Sequence, residues 1–141
     1  MRNIEKPGET IPEEPEDRID LSDSSIMFVF QNHIGLQFLR KTNIVLFRFI
    51  SSQPSKVACW ELLLTNNSTF KLSHTDTAEK IMKKLPRAYF FQISQSYIIN
   101  LTFMGEITYK SNECKLAKPF DHIKLTISRE QLLRMKASFK K

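Results

Sequence analysis

Glycine is scarce in this 141-residue chain, which holds only Gly8, Gly35 and Gly105. Three scattered glycines cannot build the Gly-rich loop that cradles a nucleotide's phosphates, so that class of enzyme is excluded. Cysteine and histidine are nearly as rare, at Cys59, Cys114, His33, His74 and His122. No pair among them has the C-x2-C or H-x3-H spacing of a metal centre, and neither metal nor cofactor is expected. A Cys–His dyad is the one nucleophilic arrangement these residues leave open; no motif supports it, and the chain is not expected to be an enzyme. Two cysteines without a secretory leader point to a reducing, cytoplasmic compartment. Long apolar runs are missing too. The longest, such as residues 26–30, fall far short of the ~18 residues a membrane span requires, so no membrane crossing is expected. A receiver or ligand-sensing domain needs on the order of 100 further residues, and the expectation is a stand-alone module.

What the chain does contain is charge, unevenly placed. Through Ser25 there are eight acidic residues against Arg2, Lys6 and Arg18, a net of −5. From Ile26 onward eighteen Lys/Arg stand against seven Asp/Glu, a net of +11. A basic domain behind an acidic tail suits a polyanion binder, although a merely solvated Lys-rich surface has the same signature. Residues 1–24 hold Pro7, Pro12 and Pro15 with dense Glu/Asp and little to bury. Such a segment cannot offset its ordering entropy, which predicts a disordered tail over 1–24 and a domain over 25–141.

Within that domain strands outnumber helices. Residues 26–31 and 36–40 read as a hairpin turned at Asn32-His33-Ile34-Gly35. Residues 44–50 are an apolar run broken by Arg48, the pattern of a mostly buried strand. After the polar loop 51–56, strands over 57–65 and 69–72 are turned by Asn66-Asn67-Ser68, because Asn tolerates left-handed backbone. A helix is predicted over 76–85, with Ala78, Ile81, Met82 and Leu85 as one stripe and Asp76 with Glu79 as a capping box. Strands follow near 103–109, 114–117 and 122–127. Ser128 and Gln131 have the spacing of a second capping box, with Leu132, Met135 and Phe139 on the apolar side of the terminal helix. The class is mostly β with short helices, a β-dominated α+β domain.

One stretch stands apart. Residues 90–101, FFQISQSYIINL, begin as a strand, pass through Ser94, Gln95 and Ser96, and end in an apolar anchor interrupted by Asn100. Polar side chains on a rigidly anchored bend are what a reading surface needs. The stretch resembles the signature of the LytTR family of DNA-binding domains, in which a strand, often His-Arg, and then Ser-Tyr-ϕ-ϕ-Asn-Leu occur in that order. Ser96 to Leu101 match, Ser94-Gln95 stand where His-Arg is usual, and Thr126-Ile127-Ser128-Arg129 resembles the family's closing strand and Ser-Arg. The resemblance implies small antiparallel sheets stacked along one axis, with loops entering successive DNA grooves. It places the DNA-facing positions on Ser94, Gln95 and Arg129, and on the loop leading to Cys59 and Trp60.

The residue chemistry agrees with those positions. A Gln amide matches adenine N6 and N7, and a guanidinium matches guanine O6 and N7 or holds a phosphate. Lys56 is chosen from the loop on charge, and Lys124 stands with Lys110, Lys115 and Lys118 as a phosphate-contacting group. Tyr97 and Asn100 are expected to be structural, and Trp60 to lie in the core or cap the basic face. The expected function is duplex DNA binding and transcriptional regulation, two copies occupying repeated half-sites. The alternative is a protein-interaction or ligand-sensing β-module with a basic surface, followed by RNA binding, which the buried-looking aromatics disfavour.

Overall fold

The computed structural model describes residues 27–51 and 58–139. The acidic tail, the domain start at Ser25 and Lys56 with most of its loop lie outside them. Among the described residues the chain forms three antiparallel sheets, two α-helices and two short 3-10 helices, Lys41–Asn43 and Leu101–Phe103. Strands β1 (Met27–Gln31) and β2 (Leu36–Arg40) make a hairpin of their own. Strands β3 (Ile44–Ser51), β4 (Ala58–Leu64), β5 (Thr69–Lys71), β6 (Phe90–Ser94) and β7 (Tyr97–Asn100) form a five-stranded sheet in the order β5-β4-β3-β7-β6. Strands β8 (Met104–Thr108), β9 (Glu113–Leu116) and β10 (Lys124–Thr126) form the third sheet, ordered β10-β9-β8. Helix α1 (Ala78–Lys84) precedes β6, and α2 (Arg129–Ser138) follows β10.

The five-stranded sheet is the middle layer, which explains the apolar runs. One face shares a core with β1, β2 and α1, through Phe28, Phe30, Ile44, Phe47, Trp60, Leu62, Ile81, Phe90 and Ile98. The other shares a core with the third sheet and α2, through Val45, Leu46, Leu63, Ile93, Ile99, Leu116, Leu125, Leu132 and Met135. A strand covered on both faces reads as continuous apolar residues rather than alternating ones. Thus Ile44 to Phe47 are all buried, Ile44 and Phe47 in the first core and Val45 and Leu46 in the second. The outer sheets have one covered face and alternate, with Phe28 and Phe30 buried but Met27, Val29 and Gln31 exposed on β1. Trp60 belongs to the core, edge-on to Phe49 at 5.6 Å.

Local chemistry sets the element ends. Asn67 takes φ 70 at the β4–β5 turn, the left-handed geometry Asn accepts. Helix α1 starts one residue later than the Asp76 box predicts, because the Thr77 side chain accepts the Lys80 N–H and makes Thr77 the cap. At α2 the Ser128 hydroxyl accepts the Gln131 N–H at 3.1 Å, so one half of the expected box forms; no return bond from the Gln131 side chain is present among the described residues. Phe139 departs from expectation. It caps the helix beyond its last packed turn and is exposed, whereas Leu132 and Met135 are buried. Gly105 sits where β8 crosses a register shift in β9, and a Cβ there would lie 2.9 Å from the Lys115 carbonyl oxygen.

Cys114, inside the second core, has its thiol pKa pushed up from 9.0 to about 11 by burial. A raised pKa stabilises the fold below 9.0, and that contribution is lost as pH climbs through about 11. Cys114→Ala removes the titration. The stability difference between native chain and variant should therefore shrink by roughly 2–3 kcal/mol between pH 9 and 11, read from urea unfolding at each pH.

Candidate nucleic-acid interface

The reading stretch is a hairpin with its turn held from several sides. In β6, Phe90 and Ile93 are buried, and the register slips between Gln92 and Ser94, leaving Ile93 as the extra residue of a bulge. Ser94 then pairs with Tyr97, so Gln95 and Ser96 form a two-residue turn. The Ser94 hydroxyl accepts the Ser96 N–H at 3.2 Å, and Gln92 Nε2 donates to the Ser94 carbonyl at 3.1 Å. From the neighbouring strand, Phe49 N–H donates to the Ser96 carbonyl at 2.8 Å. Ser94 and Gln92 are therefore half-buried scaffolding, whereas Gln95 is exposed and hydrogen-bonds to no described residue. A fixed turn carrying one uncommitted amide loses little entropy when that amide meets a base edge.

The far end of the hairpin is anchored by Asn100, fully buried. Its Nδ2 donates to the carbonyls of Lys41 at 2.9 Å and Ile44 at 2.8 Å, and its Oδ1 accepts the Thr102 N–H at 2.9 Å. The side chain ties β7 to the start of β3, the structural role expected of it. Tyr97 is half-buried against the second core.

Arg129 is the first residue of α2. It is exposed and has no ion pair or hydrogen bond with any described residue; the adjacent Glu130 is engaged by Arg134 at 3.4 Å instead. Helix α2 packs on β6, and Leu132 and Met135 share a core with Ile93 and Phe91. Gln95 and Arg129 thus sit on two elements locked to each other. Lys124 is exposed on β10. It lies opposite Lys115 on the third sheet, beside a hollow also lined by Glu106, Glu113 and Asp121. Lys110, Lys115, Lys118 and Lys124 are all exposed and unpaired among the described residues.

Sequence reasoning gave no role to Arg48. Its Nε donates to Glu61 Oε1 at 2.8 Å, and the register places Tyr97, Arg48, Glu61 and Lys71 in one row across four strands. The row ends beside the Gln95 turn. A lone charge at the point where β3 stops being apolar, answered by Glu61 in the next strand, was the available signal. Among the described residues no group of His, Cys, Asp and Glu could hold a metal ion, and no helix is long and apolar enough to cross a membrane.

Three stacked antiparallel sheets with an anchored polar turn and an exposed Arg129 at a helix start define a small β-rich domain. The model of the LytTr DNA-binding domain matches residues 48–140, more than half of the chain, and the protein belongs to the LytTR family. Gln95 and Arg129 both fall inside the match. Among solved structures, a LytTr DNA-binding domain from Bacillus cereus superposes with a TM-score of 0.57 at 11% identity, over 79% of this chain and 94% of that one. At that identity the likeness is one of fold, and it includes the small sheets stacked along one axis. No curated protein matches the sequence.

Proposed function

We propose that this chain binds duplex DNA sequence-specifically and regulates transcription, with the β6–β7 turn and the start of α2 presented to the grooves. The observation that carries the reading is the pairing of two uncommitted side chains, Gln95 and Arg129, on a hairpin and a helix that pack together. Around them the exposed lysines supply charge without base preference, since phosphate contacts position a protein and base contacts specify the site. Lys56 would add to that charge from the loop between β3 and β4. Lys124 would reach a phosphate only where DNA extends over the third sheet. Ser94 holds the turn through its hydroxyl and sets the aim of Gln95. One copy offers a small reading surface, and two copies on repeated half-sites would give a site of useful length.

Arg129→Ala tests the helix start. Because the Arg129 side chain is exposed and bonds to no described residue, the fold should survive, and affinity for the selected site should fall by about 1–3 kcal/mol, roughly five- to a hundredfold. If the loss is equal on every sequence and the salt dependence drops by about one phosphate, Arg129 holds backbone rather than base. Unchanged affinity on all duplexes would remove Arg129 from the interface.

A further inference from the structure

The β1–β2 hairpin carries five of the nine exposed large hydrophobic residues among those described. Met27, Val29, Leu36 and Phe38 are 45, 39, 53 and 59% exposed there, and Ile34 at the hairpin tip is 81% exposed. The register sets Val29 opposite Phe38, Met27 opposite Arg40 and Gln31 opposite Leu36, so the apolar side chains form one block with a single charge at its end. Together they expose on the order of 500 Å², the upper range for an ordinary monomer's largest apolar patch.

The strand edge beside this patch is also open. The hairpin closes with Asn32 N–H donating to the Gly35 carbonyl at 3.1 Å. Alternation along an antiparallel pair then turns the backbone groups of Val29, Phe38, Leu36 and Arg40 outward. Two bonds obey that alternation: Lys84 Nζ donates to the outward Val29 carbonyl at 3.4 Å, and the outward Arg40 N–H donates to Asn43 Oδ1 at 2.8 Å. Helix α1 thus reaches the β1 edge through Lys84. On β2 the outward N–H and C=O groups of Leu36 and Phe38 pair with no other strand of the described chain. An unpaired edge with apolar side chains is a template for another strand.

We propose that this edge receives a second copy of the same chain. In that dimer β2 pairs antiparallel with its counterpart about a two-fold axis at Gln37, setting Leu36 of each copy opposite Phe38 of the other. All four outward groups on each β2 are then bonded, and the two apolar blocks become neighbours. Charge sets where such a contact costs least. Residues 26–141 carry a net +11, and two such bodies repel least where the contact holds only Arg40. An antiparallel strand edge is also self-complementary under a two-fold axis, as an isologous dimer requires. Edge pairing covers the flanks of Leu36 and Phe38 and sets the outer faces side by side, so the buried area stays below the roughly 1,200 Å² of a standard interface and the dimer should form at micromolar and higher concentrations.

Sedimentation velocity of the full chain from about 5 to about 500 µM tests this, since a weak interface reveals itself over that range. The native chain should shift from monomer toward dimer with rising concentration. Phe38→Asp and Leu36→Asp, at exposed positions that leave the cores untouched, should stay monomeric with unchanged far-UV circular dichroism. A native chain that remains monomeric throughout overturns the proposal and leaves the face to residues 1–26 or to a different protein. A dimer that persists in both variants overturns it as well, because another surface then forms it. The readout involves no DNA, so its failure is separate from any failure of the reading of Gln95 and Arg129.

Discussion

Gln95→Arg is expected to move the preferred base at one position of the bound site from adenine to guanine. The Gln amide presents a donor and an acceptor side by side, which match adenine N7 and N6; a guanidinium presents donors only, which match guanine O6 and N7. The turn beneath it should not change. Its fixing bonds come from Ser94, Gln92 and Phe49, and the Gln95 side chain contributes none to the described residues. A good bidentate pair discriminates by about 1–3 kcal/mol, roughly five- to a hundredfold. The substitution also adds a positive charge, which tightens binding to every sequence, so the effect is read as a ratio between duplexes differing at one base pair. Site selection from random DNA with both proteins gives that ratio. Identical selected motifs would remove Gln95 from base recognition.

Asn100→Ala should destabilise the fold by about 3–5 kcal/mol while leaving every exposed residue of the interface in place. Three hydrogen bonds end on this buried side chain, and its loss leaves the Lys41 and Ile44 carbonyls and the Thr102 N–H without their partner. Asn100→Asp separates the bonds from the shape. It fills the same space but turns an acceptor toward two carbonyls, and should cost at least as much as alanine. The urea midpoint should fall in both variants with an unchanged slope. An Asp variant as stable as the native chain would show that the site is held by packing rather than by these bonds.

The legible and illegible parts of the sequence separate by range. The 26–31 and 36–40 hairpin and the strand over 122–127 rest on local composition, and both were legible, the latter shortened to Lys124–Thr126. The Asn66–Ser68 turn and the α1 stripe were equally local. The α1 cap was misplaced because Asp76 and Thr77 are adjacent capable caps, and only the placed hydroxyl decides between them. Strand order was not legible. That β3 lies between β4 and β7, with Arg48 facing Glu61 on one side and Tyr97 on the other, depends on pairings between distant segments. The same distance hid the reach of Asn100 to Lys41 and Ile44, although its structural role was read from the apolar run it ends. In the candidate site the residues themselves were visible in sequence. Their support was not: the bulge at Ile93 and the bond from Phe49 exist only once β3 and β7 are paired.

The most direct test of the account is the salt dependence of duplex DNA binding by the full chain, followed by fluorescence anisotropy. Lys/Arg contacts to phosphates release counterions, and log affinity should fall linearly with log salt at roughly −0.9 per phosphate neutralised. With the net +11 carried after residue 25, a steep line spanning several phosphates is the predicted result. A flat response, or no binding to duplex DNA at low salt, would contradict the account.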